Sequence, residues 1–430
     1  MYYFIGIKGT GMASLAVMLH DLGNEVMGSD LQKHFFTEDE LVKRGIKILP
    51  FDEDNIKAEY TVIIGNAFLE DFPEVKRARE LCRCFRYHEF LGELMKNYKS
   101  VSICGSHGKT TTTTITKTVL SHFKNTGYLI GDGEGYLSKD SEYLCVESDE
   151  FRRHFLSYYP EYAIITNIEI DHVDYFKDEI DYFNAYQEFA THVKDAIFYH
   201  GDDVWCQKLQ FTCKAFSFGL SENNDYYPIN VVSDNRNSSF DLCFRGKKVH
   251  HYEVPFVGDH LLIDILGVLS FADYMGFDHS EVEKALGEYV GPKRRYVIEV
   301  FKDTVFVDDY AHHPTEVKVT IEASHKRYPD RKIIAIFKPH RASRVKYFAE
   351  DFKKALEKAD EIYLLDFTSI DDKQDGTDIN IDYLQERIPR AVILPEDENG
   401  AKLLAEEKPA VFLFMSSKDI YWLAEMLKKA

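Results

Sequence analysis

The feature that most constrains this chain is a short apolar run feeding a glycine loop and then a threonine-rich segment. Residues 100–104 read as a buried strand, Gly105-Ser106-His107-Gly108-Lys109-Thr110 as a loop, and Thr111 to about Phe123 as a helix. A strand, a glycine turn and a helix start, in that order, form a phosphate cradle. Glycines let backbone N–H groups approach, the helix N-terminus adds positive potential, Lys109 supplies a cation and the Thr110 hydroxyl can ligate Mg²⁺. The loop is not the general G-x-x-x-x-G-K-[ST] pattern, because Ile103 stands five positions before Gly108. An ordinary glycine-rich turn is the alternative, and the flanking strand and helix weigh against it.

Strand-like and helix-like runs alternate on both sides of this loop. Before it, residues 2–7, 25–28, 46–49 and 60–65 are strand-like, while 12–22 and 73–82 are helix-like. After it come strands at 143–146 and 163–165, a meander over 216–254 with turns at 223–224, 235–238 and 245–246, and a helix over 261–275. A third unit has strands at 304–307, 332–337, 361–365 and 410–415 and helices at 315–325, 343–358 and 420–428. Such alternation predicts an α/β chain of parallel βαβ units with ligands at the carboxyl ends of the strands. The expected domains are 1–96, 97–293 and 294–430.

Composition narrows the class further. The 430 residues are 45% hydrophobic and 14% aromatic, enough for several packed cores. Lys and Arg total 52 against 72 Asp and Glu, a net charge of −20. That balance argues against a nucleic-acid binder while leaving room for a local basic pocket for a small polyanion. The seven scattered cysteines read as reduced thiols of a cytoplasmic protein, and Cys82 and Cys84 are too close for the usual zinc spacing. The apolar N-terminus is broken by Gly6, Gly9 and Gly11, so it reads as strand, turn and helix and not as a signal peptide. No uncharged run reaches the roughly 18–20 residues of a membrane span.

Other candidate residues stand at strand ends. Glu147, Asp149 and Glu150 follow one strand; Thr166, Asn167, Asp171, His172 and Asp174 follow another. On a shared sheet edge Glu147 and His172 converge on a cation, and the oxygens of Glu147 and Thr110 suit Mg²⁺; solvated acidic loops are the alternative. The opening turn holds Gly6, Lys8, Gly9, Thr10, Gly11 and Met12, with Ser29 and Asp30 at the next strand's end. A pyrophosphate on that helix N-terminus competes there with a purely structural turn. In the last unit Asp309, His312 and His313 close a strand before Pro314, and His340, Arg341 and Arg344 follow another. The two arginines, three apart, share one helical face that can grip a carboxylate or phosphate, or form a solvated basic start.

Taken together, GIKGTGM at 6–12, GSD at 28–30, GNAF at 65–68, YHEFLG at 87–92, GSHGKTTTT at 105–113, FRRHF at 151–155, KRR at 293–295, DDYAHHPTEV at 308–317 and FKPHRASR at 337–344 resemble the Mur ligase family in its Gram-positive form. The resemblance covers essentially the whole chain. It implies an N-terminal Rossmann-like domain for a UDP-sugar, a central P-loop-type ATPase domain and a C-terminal Rossmann-like domain. It also implies a reaction: ATP phosphorylates the lactyl carboxylate of UDP-N-acetylmuramate, and L-alanine attacks the acyl phosphate. A ligase adding a peptide or another amino acid to the same sugar, or a binding-only paralogue, are the alternatives. By the resemblance, Gly105 to Thr111 and Lys109 hold ATP, with Asn167, Arg295 and Asp309 on its base and ribose side. Thr110 and Glu147 hold Mg²⁺ and His172 belongs to a second metal site, with Mn²⁺ as the alternative ion. Gly9, Thr10, Gly11, Met12, Ser29 and Asp30 take the UDP-sugar; His312, His340, Arg341 and Arg344 take the amino acid. A cytoplasmic monomer or homodimer without nucleic-acid or membrane partners is implied. Two positions depart from the family pattern: Asp264 stands for an Asn, and Ser416-Ser417-Lys418 for a glycine-rich G-A-G.

Overall fold

The computed structural model describes residues 1–234, 237–368, 372 and 376–429. The expected turn at 235–238 therefore lies partly outside the described residues. The chain divides into two compact units, 1–169 with 183–290, and 170–182 with 291–430. Among the described residues no helix is long and apolar enough to cross a membrane, and all seven cysteines are free thiols.

The first unit holds two sheets. One is wholly parallel: β1 (Tyr2–Ile5), β2 (Val26–Ser29), β3 (Lys47–Leu49), β4 (Thr61–Ile64) and β5 (Arg83–Arg86), in the order β3-β2-β1-β4-β5. Around it lie α1 (Thr10–Asp21), α2 (Glu38–Lys43), α3 (Pro73–Leu81) and α4 (Tyr87–Met95). Tyr3, Ile5, Val62, Ile64, Val75 and Ala78 form its core. The order reverses between β1 and β4, which puts a crevice beside the turn that follows β1.

The second sheet has ten strands: β6 (Lys99–Cys104), β7 (Thr126–Leu129), β8 (Gly135–Tyr136), β9 (Tyr143–Glu147), β10 (Tyr162–Ile165), β11 (Ala196–His200), β12 (Lys214–Phe218), β13 (Tyr226–Ser233), β14 (Ser238–Phe244) and β15 (Lys247–Val254). Its order is β15-β14-β13-β12-β11-β10-β6-β9-β7-β8, parallel from β12 to β7, with an antiparallel β13-β14-β15 meander at one end. The helices α5 (Lys109–Phe123) and α7 (Asp259–Tyr274) join the core of this sheet, while α6 (Glu179–His192) follows β10 in the chain. Seven threonines make α5 a poor helix by propensity. Burial of Ile115, Val119 and Leu120 offsets that, and Thr113, Thr114, Thr116 and Thr118 return their hydroxyls to carbonyls one turn back.

The second unit is a further α/β sheet: β16 (Val297–Phe301), β17 (Thr304–Asp309), β18 (Ile333–Phe337), β19 (Glu361–Leu364), β20 (Val392–Ile393) and β21 (Val411–Met415), ordered β16-β17-β21-β18-β19-β20. Among the described residues only β16, at the edge, runs antiparallel. The expected single helix over 343–358 is two, Ala342–Tyr347 and Ala349–Leu356, broken at Phe348 with φ −101° and ψ 22°.

Candidate active site

In the first unit β6 delivers Gly105 at φ +141° and Gly108 at φ +79°. A side chain on Gly105 would run into Thr166 Oγ1, and a Cβ on Gly108 would stand 2.5 Å from Asp264 Oδ1. Neither position admits another residue without a shift. The loop is braced from β10: His107 N donates to Asn167 Oδ1 at 2.9 Å, Asn167 Nδ2 returns a bond to His107 O at 3.0 Å, and Ser106 N donates to Asn167 O at 3.1 Å. Asn167 thus spends its amide on the backbone of the loop. Ser106 Oγ donates to Glu169 O at 2.6 Å, and the His107 ring meets Glu169 Oε2 at 3.0 Å.

Lys109 Nζ donates to Gly105 O at 2.6 Å, Ser106 O at 3.1 Å and Glu150 Oε2 at 2.9 Å. Burial alone would lower its pKa, but the charges of Glu150, Asp149 and Glu147 outweigh burial and hold it above the ordinary lysine value. The ammonium is thus held inside the loop by three acceptors. Thr110 Oγ1 donates to Glu147 Oε1 at 3.0 Å, and Gly131 N donates to Glu147 Oε2 at 2.7 Å. A hydroxyl and a carboxylate at this distance form a hard-oxygen set of the kind Mg²⁺ takes. Thr111 lies half-buried in the first turn of α5.

At the edge of the first sheet, Asp30 Oδ2 accepts from Lys8 N at 2.7 Å and its Oδ1 from Leu31 N at 2.7 Å. Ser29 O accepts from Gly6 N at 2.9 Å and Ile7 N at 3.1 Å, so β2 fixes the turn after β1. The Ser29 hydroxyl donates to the buried Glu74 carboxylate. Gly9 caps α1 and is exposed, Thr10 and Gly11 are half-buried, and Met12 packs inward. Lys8 Nζ is taken up by Leu31 O, Lys33 O and Glu38. The backbone N–H groups at the start of α1 are the kind of donors an anion takes.

In the second unit the strand ends gather the remaining candidates. Asp309, at the end of β17, accepts from Tyr296 N at 2.9 Å and Ala311 N at 2.7 Å. Burial pushes its carboxyl up to about 6, against the opposing Arg295 charge. Arg295 lies over the Tyr310 ring, 4.7 Å from its centroid. His312 Nδ1 is 3.1 Å from Tyr310 O and 3.0 Å from Glu316 Oε2, and burial lowers its pKa. Arg344 is buried and donates from Nε to Asp171 Oδ1 at 2.8 Å. Burial opposes the Asp171 charge, yet Arg344, His172, His313 and His312 together hold that carboxyl well below its usual range. Asp171 Oδ1 also accepts from His172 N at 2.6 Å, and His172 takes a left-handed φ of 52°. Arg341, φ 65°, pairs with Asp174 and donates from its N to Asp372 Oδ1 at 3.1 Å. His340 is half-buried, and its carbonyl accepts from Arg344 Nη1 at 3.4 Å. Ser416 and Lys418 give their carbonyls to Arg294 Nη2 at 2.8 and 2.7 Å, so an arginine closes the loop where the family pattern has glycines.

Comparison with known proteins fixes the lineage. The chain is 43% identical over 97% of its length, and 96% of the relative's, to a UDP-N-acetylmuramate–L-alanine ligase of Lacticaseibacillus casei. The chain belongs to the Mur ligase family. Family profiles match in order: "Mur ligase family, catalytic domain" over 1–99, "Mur ligase middle domain" over 103–272 and "Mur ligase, glutamate ligase domain" over 294–416. A second relative of the same name, from Lactiplantibacillus plantarum, is 40% identical over 98% of this chain and 96% of its own. Among solved structures, a UDP-N-acetylmuramate-alanine ligase from Thermotoga maritima superposes with a TM-score of 0.81 at 25% identity, covering all of this chain and 98% of that one. The three-domain α/β architecture of Mur ligases is thus the architecture of this chain.

Within this Mur ligase, three strand-end acidic residues take partners that sequence reasoning did not assign: Glu150 pairs with Lys109, Glu169 holds Ser106 and His107, and Asp171 holds Arg344. All three were visible as acidic residues after strands, but their partners lie far away in the chain. No local spacing rule singles them out.

Proposed function

We propose that the chain is an ATP-dependent amide ligase that joins L-alanine to the lactyl carboxylate of UDP-N-acetylmuramate, a step in making peptidoglycan precursors. The observation that carries this is the loop of Gly105 to Thr110, with Lys109 charged at its centre and Thr110 beside Glu147, in a chain whose near full-length relatives bear that ligase name.

A carboxylate is a poor acceptor for an amine because its oxygen is a poor leaving group. Transfer of the γ-phosphoryl group to that oxygen makes an acyl phosphate and ADP. The amine then attacks the acyl carbon, phosphate leaves, and the amide remains. Lys109 and the backbone N–H groups at the start of α5 bind the triphosphate and offset charge in transfer. Thr110 and Glu147 would hold Mg²⁺, with His172 assigned to a second metal position. Such an ion supplies charge neutralisation of the phosphates. Asp309 and Arg295 serve the ribose side, and Asn167 keeps the phosphate loop shaped. His312, His340, Arg341 and Arg344 receive the amino acid, and the turn of Gly9 to Met12 with Ser29 and Asp30 receives the UDP-sugar. The working domains are 1–96, 97–293 and 294–430, in a cytoplasmic monomer or homodimer.

The test is phosphate release with ATP and Mg²⁺ when UDP-N-acetylmuramate or L-alanine is withheld in turn. Release that needs both supports the assignment. Release that needs neither, or that follows a different amino acid or a peptide, overturns it.

A further inference from the structure

Two stretches that match the family, GNAF at 65–68 and YHEFLG at 87–92, meet a third, FRRHF at 151–155, in a cluster to which the reading above gives no role. The rings of His88 and His154 stack with centroids 4.4 Å apart and planes 19° from parallel. Asn66 bridges them: His88 Nδ1 lies 3.2 Å from Asn66 Oδ1, and Asn66 Nδ2 lies 3.2 Å from His154 Nδ1. The carboxamide oxygen can only accept, so His88 carries its proton on Nδ1 and its Nε2 is left as an acceptor. His88 is half-buried, and burial holds its pKa below the ordinary histidine value, which keeps the ring neutral at pH 7.

The placement of the cluster is what makes it informative. Asn66 follows β4 beside the end of β1, where Gly65 N donates to Ile5 O at 3.0 Å. Phe68 packs on Gly6, and the Tyr87 hydroxyl would stand 2.5 Å from a Cβ on Gly11. Both segments therefore press on the opening glycine turn. His154 arrives from the other direction, through Arg152 and Arg153 at left-handed φ of 50° and 60°. Such a conformation is unfavourable for a residue with a side chain, and it survives where the surroundings over-determine it. Here Arg153 N donates to Glu150 O at 2.8 Å and Phe155 N to Asp149 O at 3.1 Å, and the Glu150 carboxylate is the one that holds Lys109. The histidine pair is strung between the glycine turn of the first sheet and the phosphate loop of the second. On the reading above, a nucleotide-sugar whose pyrophosphate sits at the turn would carry its sugar toward this pair.

We propose that Asn66, His88 and His154 form a subsite for the sugar of the nucleotide-sugar, in which His88 Nε2 accepts a hydrogen bond from a donor on the sugar ring, an acetamido N–H or a hydroxyl. Asn66 and His154 are positioning residues that fix the tautomer and plane of His88. The inference rests on the UDP-N-acetylmuramate reading and deepens it.

The test is calorimetric binding of UDP-N-acetylmuramate and of ATP to the full chain. His88→Leu removes the acceptor, His88→Gln retains one, and Asn66→Ala frees the tautomer. The expected result is a Kd for UDP-N-acetylmuramate at least tenfold weaker in His88→Leu, largely recovered in His88→Gln and intermediate in Asn66→Ala, with the Kd for ATP within twofold throughout. Unchanged ATP binding reports that the unit is folded; if His88→Leu fails that control, the comparison rests on Asn66→Ala and His88→Gln. A 2-deoxy analogue, with no donor where the acetamido group stands, separates the two donors. A loss confined to the acetamido compound assigns the N–H, and a loss with both compounds assigns a hydroxyl. Folded variants that bind UDP-N-acetylmuramate as tightly as the wild type overturn the subsite. A wild-type protein that binds no uridine nucleotide-sugar overturns the substrate reading instead.

Discussion

Glu150 places Oε2 2.9 Å from Lys109 Nζ, and its own side chain is wholly buried. The lysine assigned to the triphosphate is thus oriented by a residue whose backbone carbonyl also anchors the turn toward His154. Pre-charging and pre-orienting the cation removes reorganisation from the phosphoryl-transfer step.

Removing either member separates the roles of the pair. Lys109→Ala should remove nearly all turnover, by roughly a hundred- to a thousandfold on the scale of lost oxyanion-type stabilisation. Glu150→Gln should destabilise the fold by about 3 kcal/mol, since it leaves a buried charge without its partner. Steady-state rates and urea denaturation read these two effects. Lys109→Ala with wild-type rates would remove the loop from the chemistry.

The pH dependence of nucleotide affinity should follow Asp309. Burial raises its carboxyl to about 6, whereas in the unfolded chain it titrates near pH 4. Between these values the folded state binds more protons, so this group's contribution to stability declines as pH rises through the window and is constant above it. Its capacity to accept from a ribose hydroxyl runs the other way. KM for ATP should rise as pH falls below about 6, and Asp309→Asn should flatten that profile.

Asp264 brings a carboxylate against the phosphate loop at Gly108, where the family pattern has an amide. Negative charge beside a polyanion site weakens binding by an amount set by distance and effective dielectric. Asp264→Asn should lower KM for ATP severalfold, with a larger gain at low ionic strength. An unchanged or higher KM would assign Asp264 a supporting role.

The Arg344–Asp171 pair in the second unit should control amino-acid use. Arg344→Lys keeps the charge and loses the planar fork, so KM for L-alanine should rise at least tenfold while ATP affinity holds. Asp171→Asn strips the partner from a buried arginine and should cost about 3–5 kcal/mol of stability. A change confined to ATP affinity would place Arg344 elsewhere.

What could be read from the sequence was whatever depends on neighbours in the chain. Gly105 and Gly108 announce a phosphate loop because their backbone angles exclude side chains, and the strands around Phe4, Ile63, Ile103, Ile164 and Phe412 announce themselves as apolar runs. The short edge strand Arg83–Arg86 was invisible, since it is exposed or half-buried along its length and carries arginine at both ends. The single helix expected over 343–358 splits because Phe348 turns inward onto the His313 ring, 4.7 Å away, and its own ψ leaves the helical range. Pairings such as Arg344 with Asp171, which are 173 positions apart, have no local signature. Asn167 shows the converse: its motif was legible, but only the structure shows that its amide is spent bracing His107.

The central claim is that a carboxylate is activated at the loop containing Lys109. It is tested most directly by running the reaction with UDP-N-acetylmuramate labelled with ¹⁸O in both lactyl carboxylate oxygens. An acyl phosphate requires one labelled oxygen to leave with the released phosphate and the other to stay in the amide. Phosphate carrying a single ¹⁸O per turnover is the expected result; unlabelled phosphate alongside amide product would contradict it.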